Sequence, residues 1–246
     1  MNTSAPFRLT YSTMFDPPAQ MHERFEAELA RLRPRLGQDH PMFVDGKARH
    51  ATSTFEVRSP IDTDVLLGRF QSGAAVDVDA AIAAARRAFP AWSRAPWTDR
   101  VALLRRAAAL IEERVYAISA AVALEVGKNR MESLGEVQET AELVAWYCDQ
   151  MQANDGFRRE LPNDPLAGFV SRNRTQLRPY GVWAVIAPFN FPLALAATFA
   201  PIPPRRGEAV AALCERRRGD QKGGKGRYEK SPKHGRTSTG RTVNPV

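Results

Sequence analysis

The sequence predicts an α/β chain with helices covering a parallel sheet, on two observations. Val182-Trp183-Ala184-Val185-Ile186-Ala187 is apolar at every position, the pattern of a strand buried on both faces as in a helix-covered parallel sheet. Upstream of it, three stretches repeat apolar residues at the helical period. A basic segment with no such period follows.

The elements read in order. Residues 1–40 are irregular and then helical, with alternating charge over 21–36. Met42-Phe43-Val44 runs into Asp45-Gly46, a strong hairpin signal. Residues 54–58 alternate and end near Pro60, and 65–70 supply another strand, so a small antiparallel sheet with one wet face is expected. Val78, Ile82, Ala85 and Phe89 then mark an amphipathic helix stopped by Pro90. Thr98-Asp99 is read as the cap of a second helix that keeps Leu104, Ala108, Ile111, Val115 and Ile118 on one face. A third helix, 132–151, carries Val137, Ala141, Val144, Cys148 and Met151 as a core stripe. Cys148 in that stripe reads as an inert buried thiol.

The Asn154-Asp155-Gly156 turn opens two polar alternating runs, so 157–177 is expected to form an exposed hairpin suited to pairing with another subunit. The apolar strand comes next, then the loop Pro188-Phe189-Asn190-Phe191-Pro192, then a helix over 193–200.

Charge divides the chain. Residues 1–201 hold 23 basic and 23 acidic side chains, whereas 202–246 hold 12 against 4, so the net charge of +8 belongs wholly to the last segment. This excludes a globally basic surface. Residues 202–246 are expected to be a low-complexity, disordered basic tail, because between 215 and 242 Tyr228 is the only apolar residue besides Pro232, too little to offset the entropy of ordering. The domain reading is therefore 1–201 and 202–246.

Several chemistries find no motif. Two cysteines make no disulfide framework, neither has a CxxC partner for zinc, and the four histidines are scattered, so no metal site is expected. GxGxxG and HExxH are absent. Gly219 to Gly226 nearly matches a phosphate-binding loop, but Gly226 stands at the hydroxyl position and no apolar strand precedes it. The start lacks the build of a signal peptide and no apolar stretch reaches spanning length, so a cytoplasmic protein with no membrane partner is expected.

The loop at 188–192 is the most informative feature. It leaves the carboxyl end of the apolar strand, where open α/β sheets bind ligands. Two readings of Asn190 stay open on spacing alone: a cap for the helix that starts at Pro192 or Leu193, or an amide donor to a developing oxyanion. Glu132, Glu136, Glu139 and Glu142 read as a solvated helix face.

Residues 178–192, RPYGVWAVIAPFNFP, resemble the PxGVWxxIxPFNFP signature of the aldehyde dehydrogenase superfamily. Glu125-Val126-Gly127-Lys128-Asn129-Arg130, the glutamate-rich helix after it, Pro6-Phe7-Arg8 and residues 40–47 resemble its proline-catabolic branch, the L-glutamate γ-semialdehyde (1-pyrroline-5-carboxylate) dehydrogenases. The resemblance spans residues 6–198. It implies an aldehyde dehydrogenase-like α/β fold and NAD- or NADP-dependent oxidation of an aldehyde to a carboxylate. In that chemistry a cysteine thiolate attacks the aldehyde, an asparagine amide and a backbone N–H hold the oxyanion, hydride passes to the nicotinamide, and a glutamate activates water.

The resemblance assigns the oxyanion donor to Asn190, the cofactor cleft to Ile186, Ala187, Pro188 and Phe189, and the substrate site to Glu139 and Phe191. It also implies a homo-oligomer acting on a small-molecule aldehyde, and no nucleic-acid partner.

The sequence departs from the family after the loop. The family continues with an apolar strand ending in Lys-Pro, and the expectation is that no such strand follows Arg205-Arg206-Gly207-Glu208. The fold is thus expected to be truncated after the first βα unit of the cofactor-binding domain, with the resemblance lost near 199–204, as a shifted reading frame would produce. The family's nucleophilic cysteine and general-base glutamate have no counterpart in the sequence, so these 246 residues are expected to be inactive. Two alternatives are a nucleic-acid-binding protein acting through the basic tail and a pseudoenzyme subunit.

Overall fold

Met21 and Phe25, one helical turn apart, are the most deeply buried large side chains of the first helix, α1 (Ala19–Leu32). They pack on Ala120 and Ala123 of α4 (Val115–Val126) and on Leu134 of α5 (Arg130–Ala153). Small residues on α4 let α1 approach closely, so the cluster is dense despite few large groups. The structure is a computed structural model and describes residues 17–168, 170–177, 179, 181–199 and 209–214, the last six and 198–199 by backbone alone. The resemblance noted at Pro6-Phe7-Arg8 falls outside the described residues, as does the disorder expected of the tail except at 209–214, where a strand stands in its place.

The α5 stripe is as its period predicts. Val137, Ala141, Val144, Cys148 and Met151 are all buried, with Cys148 and Met151 clustered on Val101 and Val144 on Ala108, both of α3 (Trp97–Glu113). Asn129 caps α5, its side chain accepting from the Glu132 N–H at 2.9 Å.

Two helix expectations are corrected. The single helix expected from 98 past Ile118 is two helices, α3 and α4, broken at Arg114 (φ −102°, ψ 17°). The apolar stripe continues in step across the bend, so periodicity hides it. The first turn of α3 follows Pro96, so Thr98 and Asp99 lie inside the helix and do not cap it. Pro90 does not stop α2 (Ala75–Arg94), which runs through it. Proline forfeits one hydrogen bond, to the Arg86 carbonyl. Arg86 and Pro90 are both exposed, so water can take up that acceptor.

The single antiparallel sheet expected upstream is two sheets. β2 (Met42–Val44) and β3 (Lys47–Arg49) form a separate hairpin about Asp45-Gly46, both with positive φ. β4 (Thr54–Arg58) pairs antiparallel with β5 (Leu66–Gln71), and β1 (Gln38–His40) adds parallel to the other edge of β5. β1 has no apolar alternation to announce it. Its place depends on Gly68, where a Cβ would lie 2.7 Å from the His40 ring. The His40 ring stacks on Phe70 instead.

β6 (Arg158–Leu161) and β7 (Asn173–Gln176) form the expected hairpin, exposed along both strands. β8 (Val182–Ala187) then leads through the loop to α6 (Ala194–Phe199), and β9 (Ala209–Cys214) pairs parallel with β8 in unbroken register from Val182–Ala209 to Ala187–Cys214.

β9 corrects the expectation that the fold stops after one βα unit, although it ends at Cys214-Glu215 and not in Lys-Pro. The described residues contain a β–α–β unit. Ala209-Val210-Ala211-Ala212-Leu213-Cys214 is apolar throughout, like β8 itself, and the charge counted over the whole segment concealed it. The chain divides into units Met1–Glu215 and Arg216–Val246, with β9 in the first. β8 is also less buried than its sequence implies. Val185 and Ala187 are buried while Trp183, Ala184 and Ile186 are exposed, because among the described residues only one strand flanks it and no second layer covers its outer face.

Candidate active site

The loop after β8 is held from beneath. Ala187 is buried, Pro188 is half-buried, and Phe189, Asn190 and Phe191 are exposed in succession. The Phe191 N–H reaches the Pro188 carbonyl at 3.4 Å, closing a turn with Asn190 near its tip. The first amides after the turn, of Leu193 and Ala194, both donate to Glu136 Oε1, at 3.0 and 3.2 Å.

Glu136 is therefore the residue that satisfies the start of α6. A carboxylate there answers both the unpaired N–H groups and the positive end of the short helix. Its other oxygen, Oε2, accepts from Lys128 Nζ at 2.7 Å, and the pair is almost wholly withdrawn from solvent. The same ammonium lies 3.7 Å from the Phe191 ring centroid, a close cation–π contact. One buried ion pair thus grips the loop on both sides, through Phe191 before Pro192 and through the amides after it.

Among the described residues, no hydrogen bond engages the Asn190 side chain. The cap reading of Asn190 is thereby corrected: the α6 amides it would have satisfied are taken by Glu136. The expectation of a fully solvated glutamate face is corrected at the same residue. Glu132, Glu139 and Glu142 are exposed, but Glu136 is 2% exposed.

Sequence reasoning missed Glu136 and its partner Lys128. Ser133 and Thr140, three before and four after Glu136, are both fully buried, and Ser133-Glu136-Thr140 is a row of buried polar groups beside the apolar stripe. Thr140 Oγ1 donates to the Glu136 carbonyl and Ser133 Oγ to that of Asn129.

Of the residues the sequence singled out, Ile186 to Phe191 are brought together at the carboxyl end of β8, beside the end of β9. Glu139, three residues beyond Glu136 on α5, is exposed. Near Glu136, Glu125 keeps much of its area exposed, yet crowding around its carboxyl pushes its pKa above the ordinary value, and the Glu136 charge raises it further. Cys148 lies twelve residues along α5 from Glu136, about 18 Å of helix. Burial raises its thiol pKa.

The site's donor set suits only part of a dinucleotide. Exposed Ile186 and Phe189 with Pro188 offer an apolar wall of the kind a flat ring can lie against. A pyrophosphate finds no welcome at the start of α6, because a carboxylate already occupies that helix terminus. Among the described residues no group of His, Cys, Asp and Glu is arranged to hold a metal ion, and no helix is long and apolar enough to cross a membrane.

Comparison with known proteins bears on this arrangement directly. Residues 47–203 match the model of the aldehyde dehydrogenase family. The chain belongs to the aldehyde dehydrogenase family. It is 32% identical over 183 residues to a 1-pyrroline-5-carboxylate dehydrogenase of Staphylococcus epidermidis, covering 73% of this chain and 34% of that protein. It is 39% identical over 152 residues to an N-succinylglutamate 5-semialdehyde dehydrogenase of Burkholderia lata, covering 61% of this chain and 30% of the other.

Among solved structures, a 1-pyrroline-5-carboxylate dehydrogenase from Thermus with bound NAD superposes with a TM-score of 0.73 at 27% identity, over 86% of this chain and 40% of that one. The α/β architecture is thus that of the aldehyde dehydrogenases. The chain spans about a third of the length of the curated relatives it matches.

Proposed function

We propose that this chain contributes the oxyanion donor and the nicotinamide side of an aldehyde dehydrogenase site, for oxidation of an aldehyde on a glutamate skeleton such as L-glutamate γ-semialdehyde. One observation carries the reading. Asn190 is exposed at the carboxyl end of β8 on a loop held by Glu136 and Lys128, so its amide has no structural duty among the described residues.

In this reading the Asn190 side-chain N–H donates to the aldehyde oxygen as it becomes an oxyanion. A neutral donor fixed in advance stabilises that charge without reorganising. Ile186, Pro188 and Phe189 flank the nicotinamide end of the cofactor through their side chains, and buried Ala187 contributes through its backbone. Bound NAD or NADP supplies the hydride acceptor. Phe191 and Glu139 line the substrate side, where the Glu139 carboxylate suits a free α-ammonium better than an N-acylated nitrogen. The substrate class is supported by the two relatives, whose names both contain a glutamate-derived aldehyde or its cyclic form. The exposed hairpin β6–β7 is proposed to pair with a second subunit.

The same reading makes these 246 residues inactive by themselves. The chemistry needs a thiolate near Asn190; Cys148 is buried and far along α5, and Cys214, whose backbone pairs with Ala187 at the end of β8, sits in no motif of the family. The purified chain with NAD and glutamate semialdehyde is expected to form no reduced nicotinamide. For Asn190, residues 17–199 are grafted onto the remainder of the Thermus relative. The graft is expected to turn over, and Asn190→Ala to lower its kcat by about 10²–10³ with a smaller change in KM. An unchanged kcat in that variant overturns the assignment.

A further inference from the structure

We propose that Glu136, through Lys128 and the amides of Leu193 and Ala194, is the positioning residue that aims Asn190. This rests on the reading of Asn190 as the oxyanion donor and extends it to the group that holds the donor still. Three contacts carry it. Glu136 Oε1 accepts from Leu193 and Ala194, fixing the chain immediately after Pro192. Its Oε2 holds Lys128 Nζ at 2.7 Å. Lys128 in turn lies 3.7 Å from the ring of Phe191, the residue next to Asn190.

Asn190 itself makes no side-chain hydrogen bond among the described residues, so its direction is inherited from its neighbours' anchors. The prolines at 188 and 192 limit the backbone between those anchors. Glu136 is in turn fixed, since it belongs to the long helix α5 and Thr140 Oγ1 binds its carbonyl at 2.7 Å. A single buried carboxylate therefore transmits the geometry of the helical core to the loop. Glu136 touches neither reacting atoms nor cofactor in this arrangement and acts only through the loop.

The test reads the loop and not turnover, so its failure is separable from failure of the oxidation reading. The Asn190 side-chain amide signals are recorded by NMR, and exchange of the Leu193 and Ala194 N–H is followed, in the full chain and in Glu136→Ala and Glu136→Gln. Amides of α1 and α4 report whether the fold is kept. In Glu136→Ala, protection at 193 and 194 is expected to fall about 10- to 100-fold, as for loss of a hydrogen bond to a charged group. The Asn190 pair should move toward the position of an unstructured asparagine. Glu136→Gln keeps an acceptor and removes the charge, so it should restore most of the protection and show a smaller Asn190 shift in the same direction. Asn190 signals that stay at their wild-type positions in folded Glu136→Ala overturn the proposal. If that variant does not fold, Glu136→Gln decides alone, and an unmoved Asn190 pair there overturns it equally.

Discussion

Glu136 and Lys128 form a salt bridge of 2.7 Å whose carboxylate is fully buried and whose ammonium is nearly so, eight residues apart across the α4–α5 turn. The pair does not rest on burial alone. The carboxylate also accepts two backbone N–H groups, and the ammonium also faces an aromatic ring. Such extra partners are what a buried pair requires, because attraction between two charges barely repays their desolvation.

Lys128→Met is therefore expected to destabilise the chain by about 3–5 kcal/mol, the cost of leaving one buried charge unpaired. Lys128→Met with Glu136→Gln should recover part of that loss, because neither charge then remains. Urea unfolding of the two single variants and the double one measures this. A loss in the double variant equal to the sum of the two single losses would show that the pair is not coupled.

Pro90→Ala is expected to stabilise α2. The proline stands inside a continuous helix and its nitrogen cannot donate to the Arg86 carbonyl. Proline in a helix interior costs about 3 kcal/mol relative to alanine. The gain should be smaller, about 1–2 kcal/mol, because the site is exposed and the helix has already adapted to the ring. A rise in Tm of the variant checks it, and a fall would mean that the proline itself is needed for packing.

Periodicity made some elements legible and hid others. The α5 stripe and the Asp45-Gly46 turn were readable because a run of apolar residues at helical spacing or one dipeptide decides each locally. The break at Arg114 was not, since the apolar face stays in step through the bend. β1 was not either, because Gln-Asp-His has no alternation and its pairing depends on a missing Cβ at Gly68, far along the chain. β9 was hidden by counting charge over a window wider than the strand. At the site, the Pro-Phe-Asn-Phe-Pro loop was visible in sequence, but its support was not. Glu136 looks like any surface glutamate until the fold brings Leu193 and Ala194 to it from 57 and 58 residues away.

Cys148 should be unreactive in the folded chain. It is 2% exposed, and its thiol pKa is raised by burial first, with Asp149 adding to the rise and Arg105 opposing it. Thiolate is the reactive form, so iodoacetamide is expected to label Cys148 only after unfolding. Linkage gives a second sign. A thiol whose folded pKa is raised contributes stability that is complete below its unfolded pKa, about 8.5, and is lost as pH climbs through the folded value. Stability should thus decline on the alkaline side in the wild type and decline less in Cys148→Ala. Native-state labelling at neutral pH would contradict the burial.

Glu125 supplies the acid-side counterpart. Crowding first, and the charge of Glu136 second, raise its pKa above the ordinary value. A carboxyl with a raised folded pKa contributes stability at pH below its unfolded value, about 4.3, and that contribution is lost as pH rises through the folded value. Above both values the folded chain carries an ionised Glu125 at a cost, while the unfolded chain carries it freely. Glu125→Gln removes that cost without removing bulk. The variant should be more stable than the wild type at pH 7, and the difference should vanish near pH 3, where Glu125 is neutral in both states. The exposed area of Glu125 lets water screen much of the repulsion, so the gain at pH 7 should be modest. Paired urea titrations of both proteins at the two pH values measure it. If Glu125→Gln is less stable at pH 7, the Glu125 carboxylate is supporting the Lys128–Glu136 pair and not opposing it, and the electrostatics of the loop anchor must be reassigned on that basis.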